Sequence, residues 1–288
     1  MKTGVIGLGA MGMPMARNLQ RAGYLQAVFN RTHAVADALS AELGTSATTS
    51  IEALATQCEL IILCVSQDVD VREVVEQLSP GLHPGSVVVD TSTVSSATAV
   101  QVSESLHKIG VEFLDIPVSG GVEGATQGTL AMMAGGDAAV LERIAPVLAC
   151  LASRVEHMGP VGAGQATKAV NQIMAAGINQ AVTEALAFAQ RMALPLDKVI
   201  DVVGSGAAAN WFLSHRGTSM TEGRFEPGFR LALHHKDLAI CQQMAAAHGV
   251  QMPIVEMTRV HYQRLIDAGY GDEDISALYR SKLALFGF

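Results

Sequence analysis

The chain has 288 residues, 49% of them hydrophobic and only 16% charged, so it carries enough apolar surface for a large core and is not a disordered chain. Nineteen Lys and Arg against 27 Asp and Glu give a net charge of −8, which argues against a nucleic-acid or anionic-membrane binder, since either needs a basic face. Four widely spaced cysteines, Cys58, Cys64, Cys150 and Cys241, form neither a C-x-x-C pair for zinc nor a disulfide framework, and read as cytosolic buried thiols.

In chain order, Met1-Lys2-Thr3 runs straight into Gly4-Val5-Ile6-Gly7, so no targeting segment is expected and the location is expected to be cytoplasmic. Up to about residue 160, β-branched runs alternate with amphipathic stretches, the pattern of βαβ units on a parallel sheet. The clearest strands are Val5-Ile6, Ala27 to Phe29, Leu60 to Leu63, Val87 to Val89 and Val111 to Leu114. Between the first two, Met11, Met15, Leu19 and Ala22 recur at helical spacing. Beyond residue 163 the chain reads as all-α, and Gln165 to Met192 predicts one helix about 42 Å long at 1.5 Å per residue. Asn179, Gln180, Glu184 and Arg191 interrupt its apolar stretch, which falls short of the roughly 20 residues of a membrane span. The turn Gly159 to Gly164 marks the boundary between an α/β dinucleotide-binding domain of the Rossmann type, residues 1–162, and an all-α domain, residues 163–288, joined by the long helix.

Gly7-Leu8-Gly9-Ala10-Met11-Gly12 is a G-x-G-x-x-G that follows a strand and opens a helix. Gly7 permits the tight turn, Gly9 lets backbone N–H groups approach a pyrophosphate, and Gly12 lets helix and strand pack closely. Gly7, Gly9, Met11 and Gly12 are therefore expected at the cofactor. At the end of the second strand, where NAD-binding folds place a carboxylate for the ribose, the chain has Asn30-Arg31-Thr32. A guanidinium there suits a 2′-phosphate, so NADP is expected over NAD. Two further strand ends, Cys64-Val65-Ser66-Gln67 and Asp90-Thr91-Ser92-Thr93, offer Val65, Ser92 and Thr93 to the nicotinamide side, although ordinary turns look the same.

Asp115-Ile116-Pro117-Val118-Ser119-Gly120-Gly121 presents a hydroxyl and unshielded N–H groups suited to a carboxylate, with a plain turn as the rival reading. Lys168 and Asn171 lie one turn apart at the start of the long helix. Taken alone, Lys168 reads as a surface lysine with a buried stem in preference to a functional cation.

These segments, with Phe229 and Lys236-Asp237-Leu238, occur in the order found in the β-hydroxyacid dehydrogenases, and the sequence resembles that family over nearly its whole length. The resemblance implies an NADP-dependent oxidoreductase that moves a hydride between nicotinamide and a small carboxylate-bearing semialdehyde or β-hydroxyacid. It implies that Ser119, Gly120 and Gly121 hold the substrate carboxylate, Lys168 is the acid/base, Asn171 orients substrate, Phe229 borders substrate and Lys236 reaches the cofactor. It also implies a homodimer or homotetramer. Asn30-Arg31-Thr32 resembles the NADP-preferring glyoxylate/succinic semialdehyde reductases, while an NAD-dependent 3-hydroxyisobutyrate-type dehydrogenase is the alternative. The all-α half is shorter than that of 6-phosphogluconate dehydrogenases, and imine reductases usually lack a lysine matching Lys168. A non-catalytic dinucleotide-binding scaffold would be expected to have lost that lysine. His234-His235 does not have the spacing of a metal site, none of which is expected. Trp211, outside any family pattern, reads as core in preference to a substrate contact.

Overall fold

The structure is a computed structural model that describes all 288 residues. It divides into two compact units, Met1–Lys168 and Ala169–Phe288, with the division inside a helix that runs from Ala163 to Arg191.

The first unit is built on nine strands: β1 (Thr3–Ile6), β2 (Leu25–Phe29), β3 (Ser46–Ala47), β4 (Leu60–Leu63), β5 (Val87–Asp90), β6 (Glu112–Asp115), β7 (Val118–Ser119), β8 (Leu130–Gly135) and β9 (Ala152–Gly159). Their order is β3-β2-β1-β4-β5-β6-β8-β7, with β9 also pairing β8. The strands from β3 to β6 are parallel. The sheet then turns: β8 runs antiparallel to β6 and β7 and parallel to β9, which an all-parallel expectation does not include.

β4 is apolar throughout and β5 up to its last residue, Asp90, because helices cover both faces. Val87 and Val89 enter one core cluster and Val88 the other, as the two-residue side-chain period requires, and none of the three is more than 1% exposed. Each such side chain contributes about 1.5–3 kcal/mol by leaving water. Parallel strands joined by helical crossovers put the loops after β1, β2, β4 and β5 at one end of the sheet. The candidate cofactor residues from Gly7 to Thr93 lie in or beside these loops.

The second unit is all-helical apart from a single bridge between Arg230 and Asp274. It holds the rest of the long helix and helices Leu196–Gly204, Trp211–Thr221, Leu231–Ala246, Pro253–Asp267 and Leu278–Leu285 around a core that includes Ala176, Leu186, Leu238, Val255 and Tyr262. No helix of the chain is long and apolar enough to cross a membrane.

Candidate active site

The glycine loop has the shape that its spacing predicts. Gly7 sits at φ +92°, and a Cβ there would collide with the Cys64 carbonyl oxygen. A Cβ at Gly12 would strike the Gly7 carbonyl oxygen, so the helix Gly12–Arg21 starts hard against the loop. At Gly9 a Cβ would meet nothing within 4 Å. Close packing on two sides and open space on the third suit a pyrophosphate that must reach backbone N–H groups. Met11 caps the helix without a side-chain bond, and no acidic residue occupies the first turn to oppose an anion. These residues fit a nicotinamide dinucleotide.

Beside the loop, Asn30 Oδ1 accepts the Leu8 N–H at 3.0 Å and its Nδ2 donates to the Thr32 carbonyl at 3.2 Å, so Asn30 ties the ends of β1 and β2 together. Arg31 is 91% exposed at its side chain and stands 3.6 Å from the Asp70 carboxylate. Thr32 caps the helix His33–Leu43 without using its hydroxyl. The ends of β4 and β5 are also tied: the Val65 N–H donates to Ser92 Oγ at 2.9 Å, and Gln165 Nε2 donates to the Ser92 carbonyl at 2.9 Å. Ser92 is only 2% exposed, and Thr93 beside it is half-buried.

Asp68 secures the same loops. Its Oδ1 accepts from the Ser95 N–H at 3.0 Å, the Ser95 hydroxyl at 2.6 Å and the Thr98 hydroxyl at 2.7 Å. Burial pushes the Asp68 carboxyl up, but these hydrogen bonds outweigh it and hold the carboxyl below its usual value of 3.8. A depressed folded value stabilises the protein above the unfolded pKa and stops doing so as pH falls through the folded one. Asp68→Asn should therefore cost about 1 kcal/mol in urea unfolding at pH 7, and its midpoint should approach that of the wild type as pH falls through the depressed folded value.

Asp115, at the end of β6, governs how the long helix begins. Its fully buried carboxylate accepts the Gly162 N–H at 2.7 Å and the Gln165 N–H at 2.8 Å, satisfying donors that a helix start leaves open. A Cβ at Gly164 would collide with the Asp115 and Met133 carbonyl oxygens, so only glycine allows this approach. Burial pushes the Asp115 carboxyl up, and the backbone N–H groups pull it the other way without cancelling the shift.

Two turns into that helix, Lys168 is 7% exposed and Nζ donates to the Val118 carbonyl at 2.8 Å. It is not a surface lysine: its ammonium group is held at the residue preceding Ser119-Gly120-Gly121. Gly120 and Gly121 have φ +130° and +62°, and both lie at accessible positions with Ser119. The first of these angles is closed to L side chains, so the backbone turns its N–H groups in a way no other residue reproduces.

In the second unit, Asn171 Nδ2 donates to Gln172 Oε1 at 2.8 Å, Gln172 Nε2 to Asp237 Oδ2 at 2.6 Å, and Lys236 Nζ lies 2.9 Å from Asp237 Oδ1. Asn171 and Lys236 are thus joined through Gln172 and Asp237. Phe229 is half-buried, with its N–H donating to Asp274 Oδ2 at 3.0 Å and its ring 5.3 Å from His234. His234 is fully buried between Tyr262, whose hydroxyl lies 3.0 Å from Nδ1, and the Gln172 carbonyl, 3.2 Å from Nε2. Trp211 departs from the core reading. It is 58% exposed at the start of its helix, stacked on His215 at 4.2 Å with Arg216 over the ring. Its place among apolar residues in sequence does not fall on the inward side of the helix, where Phe212 and Leu213 lie.

Sequence reasoning passes over Asp68, Asp115, Gln165, Gln172 and Asp237 as site builders. Asp115 stands inside a quoted motif, but its partners are distant in sequence and no local spacing announces them.

Residues 2–159 match the family described as "NAD binding domain of 6-phosphogluconate dehydrogenase", and residues 162–281 match "NAD-binding of NADP-dependent 3-hydroxyisobutyrate dehydrogenase". The chain is 34% identical to the 2-hydroxy-3-oxopropionate reductase of Escherichia coli, covering 98% of this chain and 97% of that one. It is 32% identical to the NAD-dependent L-serine dehydrogenase of Pseudomonas aeruginosa, covering 96% of this chain and 95% of the relative. The structure of Mycobacterium tuberculosis 3-hydroxyisobutyrate dehydrogenase with L-serine superposes with a TM-score of 0.89 at 31% identity, over 97% of this chain and 98% of that one.

Proposed function

The chain belongs to the β-hydroxyacid dehydrogenase family and is an oxidoreductase of the NAD(P)-binding kind, and from that premise we propose that it is an NADP-dependent reductase of small carboxylate-bearing semialdehydes. The observation that carries this reading is the buried Lys168 held by the Val118 carbonyl beside Ser119-Gly120-Gly121. A cation in a dry place next to glycine-opened backbone donors suits a substrate with a carboxylate at one end and a reducible carbonyl at the other.

When bound, the nicotinamide supplies or takes up the hydride. Gly7, Gly9, Met11 and Gly12 would hold the pyrophosphate, Asn30, Arg31 and Thr32 the ribose and its 2′-phosphate, and Val65, Ser92 and Thr93 the nicotinamide side. Ser119, Gly120 and Gly121 receive the substrate carboxylate. Lys168 Nζ donates a hydrogen bond to the carbonyl oxygen and passes it a proton as negative charge develops there; in the oxidative direction the amine takes the hydroxyl proton. Asn171, one turn along the same helix, orients substrate and lowers the entropic cost of a reactive geometry. Phe229 borders the substrate and Lys236 the cofactor. Asp115 acts by fixing the helix that carries Lys168.

Gly120→Ala tests the carboxylate cradle. The variant's backbone must abandon φ +130° and misdirect its N–H groups, so KM for the semialdehyde should rise roughly 10- to 100-fold, the range set by hydrogen bonds to a charged group. The affinity for NADPH, measured by fluorescence titration, should stay within about twofold on the same reasoning. Loss of NADPH binding in a folded variant would assign the segment to the cofactor instead.

A second reading, an NAD-dependent dehydrogenase of the 3-hydroxyisobutyrate type, is favoured by the Asp70 carboxylate at 3.6 Å from Arg31, which would repel a 2′-phosphate. Initial rates with glyoxylate, succinic semialdehyde, tartronate semialdehyde and methylmalonate semialdehyde, each with NADPH and NADH, separate the two. The proposal expects turnover of at least one of them with NADPH preferred; turnover with NADH alone supports the second reading.

Self-association into a dimer or tetramer forms part of the proposal. Val170 and Met174 pair at helical spacing on the long helix, Phe188 lies near its end and Met192 just beyond it, and each is more than half exposed.

A further inference from the structure

We propose that Gln172 is a positioning residue: it transmits the fixed polarity of the Asp237 carboxylate to Asn171 and so sets which way the Asn171 amide faces its substrate. This inference rests on the reading that Asn171 orients substrate.

An amide side chain has a donor end and an acceptor end of nearly equal shape, so its orientation is decided by what surrounds it. Asp237 decides it here. Its Oδ1 lies 2.9 Å from the Lys236 ammonium, and a carboxylate paired with an ammonium only accepts hydrogen bonds. Gln172 must then turn Nε2 toward Asp237 Oδ2, at 2.6 Å, and Oε1 away from it. Oε1 can only accept, so Asn171 must turn Nδ2 toward it, at 2.8 Å. Asn171 keeps its carbonyl oxygen and second N–H in a fixed arrangement.

Burial makes the relay strict. Gln172 is 2% exposed and Asp237 4%, so water does not readily replace a bond lost by rotating either amide. A flipped Gln172 would set oxygen against carboxylate at one end and amide nitrogen against amide nitrogen at the other. Its backbone is held as well. A carbonyl cannot donate, so the proton in the His234–Gln172 contact sits on Nε2. His234 Nδ1 then accepts from the Tyr262 hydroxyl, whose oxygen accepts from Asn179 Nδ2 at 2.8 Å. The charged and titratable groups around Gln172 in this network are Asp237, Lys236, His234 and Tyr262.

Two variants of near-equal size test the relay. Gln172→Glu sets a second carboxyl against Asp237, and two carboxyls this close must share a proton, so the pair titrates above the usual carboxylate range. Its kcat/KM for the semialdehyde should fall tenfold or more as pH rises through that value, and recover on acidification, a limb absent from the wild type. Gln172→Met removes donor and acceptor together, so its kcat/KM should fall at every pH without the new limb, in protein whose circular dichroism shows it folded. Wild-type kcat/KM across the pH range in both variants would overturn the proposal. A readout independent of turnover is the Asn171 side-chain amide resonance in ¹⁵N-labelled protein. It should shift in Gln172→Met and titrate with the carboxyl pair in Gln172→Glu. If the wild type reduces no semialdehyde the functional reading fails, and an Asn171 resonance unmoved in both variants would overturn the relay.

Discussion

Lys168→Ala should lower kcat by about 10²–10⁴-fold, the range of positioned acid–base catalysis, while NADPH affinity changes little. The large effect follows from geometry: Lys168 is buried, its Nζ is held at 2.8 Å from the Val118 carbonyl, and Asp115 fixes the start of its helix. Lys168→Arg should not restore turnover, because a guanidinium remains protonated and cannot take the proton back in oxidation. Near-normal turnover by the folded alanine variant would show that another group, or water, moves the proton.

The second large effect concerns cofactor choice. Hydrogen bonds to charged groups contribute about 1.5–3 kcal/mol, so wild-type kcat/KM should favour NADPH over NADH by about 10- to 100-fold. Arg31→Ala should remove most of that preference by weakening NADPH, leaving NADH little changed. The exposed guanidinium meets Asp70 only at 3.6 Å, a surface pair worth little, so it is available to fork onto a 2′-phosphate. Equal use of both cofactors by the wild type would end the assignment of Arg31 to the phosphate.

What sequence conveys here depends on how local the cause is. Gly7, Gly9 and Gly12 are legible because turn, approach and packing fall within six residues, and the structure gives each glycine the surroundings its position implies. Val87-Val88-Val89 is legible because a strand covered on both faces must be apolar throughout. Leu130–Gly135 is not: its Leu, Ala and Met are good helix formers, and it becomes a strand through pairing with β6, β7 and β9. The helix cap at Asp115 is equally hidden, since its partners Gly162 and Gln165 lie 47 and 50 positions away. Lys168 is visible as a residue but not as a buried one, because the carbonyl that holds it belongs to Val118. Asp70 escapes notice for the same reason, as only the fold brings it beside Arg31.

The most direct test of the account follows one deuterium atom. The enzyme is supplied with NADPH carrying deuterium at nicotinamide C4, separately on each face, together with each of the four semialdehydes, and the products are read by NMR. The account predicts a hydroxyacid with one deuterium on the new carbinol carbon, from one face only, and consumption of one NADPH per product. NADPH consumption without deuterium in any product, or no consumption with any of the four, would contradict it.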